Sequence, residues 1–125
     1  MVDASVAVLG LLNDGDSRQQ LADETVVVPH LVDSELMQAL RGQVMRHTIT
    51  TEDAQRAFAR WARLGIRRFA LVGLLDRIWV LRQNLSAYDA GYVALAESLG
   101  CPLVTADARI PRAPGPTCPI TVIRG

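Results

Sequence analysis

The chain has 125 residues, 50% of them hydrophobic and 21% charged, a length and balance that suit one compact domain with a buried core and exclude a disordered tail or a two-domain enzyme. Thirteen basic residues balance 13 acidic ones, so no global field recruits nucleic acid or an anionic membrane, and an anionic partner must be met by local patches. Every basic residue is arginine, which excludes chemistry that needs a lysine ammonium, such as a phosphate-binding G-K-[ST] loop or a Schiff base.

Short β-branched runs alternate with helical patterns, the mark of an α/β fold with a parallel sheet. Met1–Asp3 is expected as a first strand, followed by helices over Ser5–Leu12 and Ser17–Ala22. A second strand is expected over Thr25–Val28 and a long helix over Val32–Arg46. Thr50 or Thr51, ahead of Glu52 and Asp53, starts a helix that runs to Leu64 and stops at Gly65. Ile66–Leu71 reads as a strand and Leu74–Asn84 as a helix. Ser86 opens a helix over Ala87–Leu99, stopped by Gly100. Strands over Pro102–Thr105 and Ile120–Ile123 complete the set, the last reached through a rigid connector, Arg112–Pro119, that carries Pro114, Pro116 and Pro119. The apolar runs fall well short of the roughly 18 residues that span a bilayer. No basic region precedes an apolar segment at the N-terminus, so a soluble, unexported, cytoplasmic protein is expected. Cys101 and Cys118 are too few for a disulfide framework and lack the C-x-x-C spacing of a redox or zinc site, in keeping with a reducing compartment.

The acidic residues carry the functional information. Asp3 ends the first strand and Asp107 follows the strand that ends at Thr105; in an open parallel sheet the carboxyl ends of the strands line one crevice. Each also suits a helix N-cap, a role worth about 1 kcal/mol, and spacing alone leaves both readings open. Asp89 has a structural reading as well, as the last residue of a Ser86-x-x-Asp89 capping box. Yet Asp89, Tyr92, Val93 and Ala96 fall at i, i+3, i+4 and i+7, on the face expected to pack on the sheet, where an uncompensated carboxylate is costly. Glu35 repeats the pattern at the rim of the stripe formed by Val32, Leu36, Ala39 and Leu40. Four converging carboxylates repel one another and raise one another's pKa, whereas one or two divalent cations neutralise them, so Mg²⁺ or Mn²⁺ is the simplest reading.

Val2-Asp3-Ala4-Ser5, Asp33-Ser34-Glu35, Tyr88-Asp89-Ala90-Gly91-Tyr92-Val93-Ala94-Leu95-Ala96 and Leu103-Val104-Thr105-Ala106-Asp107-Ala108-Arg109-Ile110 follow one another over essentially the whole chain. Together they resemble the PIN-domain ribonucleases, and more narrowly the VapC toxins of bacterial VapBC toxin–antitoxin modules. It is the set that carries the resemblance, since V-D-A-S or T-x-D alone occurs by chance. The resemblance implies a three-layer α/β/α fold with a central parallel sheet of about five strands, in a single PIN domain over residues 1–125. It implies a type II toxin that is an endoribonuclease, with Asp3, Glu35, Asp89 and Asp107 as the catalytic and metal-binding quartet and with Ser5 and Thr105 supporting them by hydrogen bonds. The implied chemistry is Mg²⁺-dependent (or Mn²⁺-dependent) hydrolysis of RNA phosphodiesters, without a ribose 2′-hydroxyl nucleophile, leaving a 5′-phosphate and a 3′-hydroxyl. The implied partners are an RNA substrate, a cognate VapB-type antitoxin and a second copy in a homodimer. Only Met1 and Val2 precede Asp3, where the family generally has a longer first strand, so a short first strand or an upstream start is expected.

Two readings of other classes stand beside this one. A catalytically idle PIN-like module binding RNA or protein is disfavoured by the presence of all four carboxylates. A receiver domain or phosphatase is disfavoured by the absence of lysine. His30 and His47 each stand alone beside a helix boundary and read as structural or solvated rather than as acid–base groups. Arg56, Arg60, Arg63 and Arg67 fall at i, i+4, i+7 and i+11, a stripe for RNA phosphates if one helix runs through them and otherwise a solvated face. Arg109 and Arg112, close to Asp107, have the better claim to RNA. Trp61, Phe69, Trp79, Tyr88 and Tyr92 are expected mostly in the core, with base stacking as the minor reading. The segment from Leu31 to Leu64 holds more apolar residues than one core-facing stripe needs (Leu36, Met37, Leu40, Val44, Met45, Phe58, Trp61 and Leu64), as a groove for an antitoxin helix or a self-association surface would require.

Overall fold

Asp3 ends the first extended segment almost as soon as it begins. Its carbonyl accepts the Ala7 N–H at 3.1 Å and its side chain accepts the Val6 N–H at 3.2 Å, so the chain turns directly into a helix. The computed structural model describes residues 1–22 and 26–124. In chain order the elements are α1 (Ala4–Leu12), α2 (Asp16–Ala22), β1 (Val27–Pro29), α3 (Leu31–Met45), α4 (Thr51–Arg63), β2 (Arg67–Phe69), α5 (Leu75–Leu81), α6 (Ala87–Leu99), β3 (Leu103–Thr105) and β4 (Ile120–Val122). Single 3₁₀ turns at Val72–Leu74 and Ile110–Arg112 precede α5 and follow β3.

The six expected helices are present, and the cap residues account for their limits. Thr50, not Thr51, caps α4 in a complete box with Asp53, both bonds at 3.0 Å. Gly100 ends α6 in the left-handed conformation, φ 65°. Gly10 lets α1 and α2 approach closely, since a Cβ there would lie 2.8 Å from the Ser17 carbonyl oxygen. α5 ends at Leu81 and not at Asn84. α4 ends at Arg63, with Leu64 extended, so Arg67 stands on β2 and the four-arginine stripe is broken: Arg56, Arg60 and Arg63 share the helix, and Arg56 is paired with Asp53.

Where a single sheet of about five strands is expected, the described residues show two separate two-stranded parallel sheets. β1 pairs in parallel with β2 (Val27↔Arg67 to Pro29↔Phe69), and β3 pairs in parallel with β4 (Leu103↔Ile120 to Thr105↔Val122). The Met1–Asp3 segment contributes one parallel bridge, Val2↔Val104. Among the described residues no ladder joins the two pairs; the Asp3 N–H donates to the Val104 carbonyl at 3.2 Å before the chain turns into α1. Thr25, the expected first residue of the second strand, lies outside the described residues, and the strand runs to Pro29.

α6 packs against both β1 and β3, with Ala90 through Ala96 all buried, and its apolar face meets Val2, Val6, Val28 and Leu103 in the core. Two ionic ties brace the periphery. The Asp33 carboxylate accepts the Trp61 indole N–H at 2.7 Å and two Arg68 N–H groups at 2.7 and 2.9 Å, joining α3, α4 and β2. Glu97 accepts two bonds from Arg77 at 2.7 and 3.0 Å and two from Thr117 at 2.7 and 2.9 Å, which fastens the proline-rich connector to α5 and α6. Of the expected apolar surplus, Leu36, Leu40 and Trp61 are core residues. Met37, Met45 and Phe58 stay exposed beside a groove of about 280 Å³ between α3 and α4. Among the described residues no helix is long and apolar enough to cross a membrane.

Candidate functional site

Asp3 is 5% exposed, and a carboxylate that deep needs its oxygens satisfied. Oδ1 accepts from the Ser5 hydroxyl and the Val6 N–H, and Oδ2 accepts from the Thr105 hydroxyl. Both hydroxyls also accept: Ser5 Oγ from the Ala106 N–H and Thr105 Oγ1 from the Asp107 N–H, each at 3.0 Å. Two hydroxyl bridges therefore tie the end of the first segment to the backbone that leaves β3. The side chain that caps α1 is thus the one that the two hydroxyls hold in place.

Glu35 is half-buried on α3, and its Oε1 accepts the Tyr92 phenol at 2.7 Å. Burial pushes its carboxyl above the usual range, and repulsion from Asp89 and Asp3 adds to this, against the lowering effect of the Tyr92 bond. The phenol of Tyr92 is pushed strongly upward by burial and by Glu35, so it remains a proton donor. Asp89 makes only half of the capping box through its backbone, its N–H donating to Ser86 Oγ at 3.1 Å. Its carboxyl is raised by burial and by the charges of Asp3 and Asp107, with Ser86 and Arg109 opposing.

Asp107 differs from the other three. Arg109 grips it with its guanidinium at 2.7 and 2.9 Å and with its backbone N–H at 2.9 Å, which holds the carboxyl below its usual range. The Arg109 side chain is 87% exposed, so this fork is an external counter-ion that can swing away. Arg112 is exposed in the 3₁₀ turn that follows.

Glu35 thus senses the charges of Asp89 and Asp3, and Asp89 those of Asp3 and Asp107, which puts the four carboxylates in one electrostatic neighbourhood. They are not drawn into a single coordination sphere: among the described residues no three acidic, histidine or cysteine side chains gather at metal-ligand distance. The donor set nonetheless fits a hard divalent cation. It offers carboxylate oxygens, two of the carboxyls are raised by burial and by the charges of their neighbours, and hydroxyls hold Asp3 in place. His30 is exposed at the start of α3 and His47 occupies the left-handed turn after it, φ 60°.

Two features went unread in the sequence. The Tyr92 hydroxyl orients Glu35, although its place one turn after Asp89 on the buried face was a usable signal. Arg109 is seated on Asp107 two residues away. Two aromatic placements also differ from expectation. Trp79 is 67% exposed, under the Arg82 guanidinium at 4.2 Å, and Tyr88 is 63% exposed. Tyr88 instead borders a mainly apolar groove of about 800 Å³ between α1 and α3, shared with Ser5, Val8, Leu9, Glu35 and Gln38.

Comparison with known proteins gives the following likenesses. The PIN domain family profile matches residues 1–116. The chain is 53% identical over 123 residues to VapC ribonuclease Mb0985 of Mycobacterium bovis, covering 98% of this chain and 97% of that protein. It has the same identity and coverage with Ribonuclease VapC9 of Mycobacterium tuberculosis. Identity to Ribonuclease VapC1 of Mycobacterium tuberculosis is 38% over 129 residues, covering 99% and 97% of the two chains.

Proposed function

The chain belongs to the PIN domain family, and from that premise we propose that it is a divalent-metal-dependent endoribonuclease, the toxin of a type II toxin–antitoxin pair. The observation that carries this reading is the pair of hydroxyl bridges, Ser5 and Thr105, which fixes Asp3 beside Asp107 amid carboxylates that repel one another. Asp3, Glu35, Asp89 and Asp107 would hold Mg²⁺ or Mn²⁺. A bound divalent cation supplies Lewis-acid activation of a water and neutralises charge growing on the scissile phosphate.

The chain's own residues supply position. Ser5 and Thr105 leave Asp3 one orientation, and Tyr92 does the same for Glu35. The Ser86 cap sets where α6 begins, and with it the place of Asp89. Arg109 guards the Asp107 charge in the resting state and, with Arg112, is available to RNA phosphates once displaced.

The same premise extends to partners and fold. A VapB-type antitoxin, an RNA substrate, a homodimer and a cytoplasmic setting are part of the reading; the exposed Met37, Met45 and Phe58 along the α3–α4 groove support a partner surface. The two strand pairs and the Val2 bridge are read as parts of one central sheet in a three-layer domain over residues 1–125. That α6 packs on both β1 and β3 supports this.

The deciding experiment is cleavage of a mixed RNA pool in Mg²⁺ or Mn²⁺ by the wild type and by Asp3→Asn. Cleavage that yields 5′-phosphates and is lost with EDTA and in the variant is expected. RNA binding with no cleavage by the wild type would favour the idle binding module.

A further inference from the structure

The dipeptides Cys101-Pro102 and Cys118-Pro119 each lead into a strand, β3 and β4. Cys101 enters β3 through Pro102 without a turn, whereas the chain bends at Cys118 and reaches β4 through Pro119. The strands pair with Leu103 opposite Ile120, and the Leu103 N–H donates to the Pro119 carbonyl at 2.9 Å. Counted two residues back from Leu103 and Ile120, Cys101 and Cys118 stand at matching positions at the foot of the strand pair, just outside the ladder. Adjacent strands run about 4.8 Å apart, inside the span of about 4.4–6.8 Å between the Cα atoms of a disulfide. The ladder stops just short of them because Pro119 has no N–H to donate.

A second geometric constraint acts from outside the sheet. Glu97, in the last turn of α6, holds Thr117 by its N–H and its hydroxyl, while Gly100 ends that helix immediately before Cys101. Thr117 is thereby anchored beside the helix end that delivers Cys101. Burial pushes the Cys118 thiol upward, and the charges of Glu97 and then Cys101 add to it, so the two thiols lie within electrostatic reach of each other. Both thiols are free and partly exposed.

We propose that Cys101 and Cys118 are a paired redox-modification site, in which a peroxide-class oxidant joins the two sulfurs in a reversible disulfide that closes the base of the segment carrying Asp107. The Cys101 thiolate attacks one oxygen of hydrogen peroxide, the O–O bond breaks, hydroxide leaves and a sulfenic acid forms. The Cys118 sulfur then attacks the Cys101 sulfur, the S–O bond breaks, and the S–S bond forms as a second hydroxide leaves. The two thiol protons convert both hydroxides to water: the dithiol loses two electrons and two protons, and peroxide is reduced to two waters. A thiol reductant reverses the change. The site is separate from the carboxylates and does not depend on the nuclease reading.

The test uses the full reduced chain, treated with one equivalent of hydrogen peroxide, denatured, alkylated and weighed by mass spectrometry. Loss of two hydrogens with no alkylation at either cysteine is expected. Trypsin cleaves after Arg109 and Arg112, so the peptides bearing Cys101 and Cys118 should stay joined until reduced. Because the crosslink restricts the unfolded chain, the oxidised form should melt several degrees above the reduced one. In Cys118→Ser, a sulfenic acid on Cys101 should persist and react with dimedone. A disulfide between two chains, one thiol per chain still open to alkylation, or an oxidised form that melts no higher would overturn the proposal.

Discussion

Tyr92 donates its phenolic hydrogen to Glu35 across 2.7 Å, joining α6 to α3 at the edge of the carboxylate cluster. Burial and the charges of Asp89 and Asp3 raise the Glu35 carboxyl, and the Tyr92 bond is the contact that opposes them. Tyr92→Phe keeps the ring and deletes that opposition. Glu35 should then hold its proton to a higher pH, and the acid limb of the Mn²⁺-dependent cleavage profile should move upward. A loss of about 10–100-fold in kcat at neutral pH, with KM for RNA unchanged, is expected. A pH–rate profile of both proteins checks it.

Asp89→Asn should abolish cleavage and leave the metal-free protein as stable as before, or more so. The cap survives because it uses the Asp89 N–H, whereas the charge repelled by Asp3 and Asp107 is gone. The sign follows from linkage. Glu35 and Asp89 are raised in the folded state, so their protonation favours it: that stabilisation is full below the unfolded pKa, near 4, and is lost as pH rises through the folded values. Asp33, Asp107 and Glu97 are lowered, Glu97 to about 2, and their contribution is present above the ordinary carboxylate range and lost as pH falls below it. The melting temperature of the metal-free wild type should therefore rise on acidification from pH 7 toward about 5 and fall in stronger acid. Asp89→Asn should flatten the first limb and leave the second. Differential scanning calorimetry over that range decides it.

The helices were legible because their end signals are local: Ser86 and Gly100 act on their own backbone, and Thr50 with Asp53 does the same. The carboxylates were legible because Asp3 and Asp107 follow extended runs while Asp89 and Glu35 interrupt apolar helical faces. The sheet was less so, since three-residue strands are too short for a period-two pattern and their pairing depends on contacts far away in sequence. Trp79 was misjudged because α5 is apolar nearly all round, so spacing does not say which side meets the core; Leu81 does and Trp79 does not. The phenol of Tyr92 was hidden by its own ring, whose burial reads as core while its polar tip reaches Glu35.

Thr105→Val tests the hydroxyl bridge. Thr105 is fully buried, and valine has its shape without the oxygen that donates to Asp3 and accepts the Asp107 N–H. Asp3 is left with one carboxylate oxygen deprived of that donor, and the Asp107 amide loses its acceptor. A cost of about 1–3 kcal/mol in stability is expected, seen as a lower midpoint in urea with an unchanged slope. Cleavage should fall further than Ser5→Ala lowers it, because Thr105 alone links Asp3 to the amide of Asp107. Equal losses in the two variants would show that the bridges act as one unit.

Arg109 presents a sharper choice, since one side chain can serve two partners of opposite consequence. In the metal-free protein its fork neutralises Asp107, and a divalent cation that uses Asp107 must displace it. The pair is exposed, so its strength is the small one of a solvent-screened surface ion pair. Arg109→Gln should accordingly tighten Mn²⁺ binding in the absence of RNA by about two- to fivefold, measured by titration calorimetry. RNA affinity should move the other way if the displaced guanidinium meets a phosphate, with the salt slope of binding reduced by about one. Tighter metal with weaker RNA establishes Arg109 as a counter-ion that passes from carboxylate to substrate. Tighter metal with an unchanged salt slope confines it to the resting enzyme, and unchanged metal affinity removes Asp107 from the set that meets the cation.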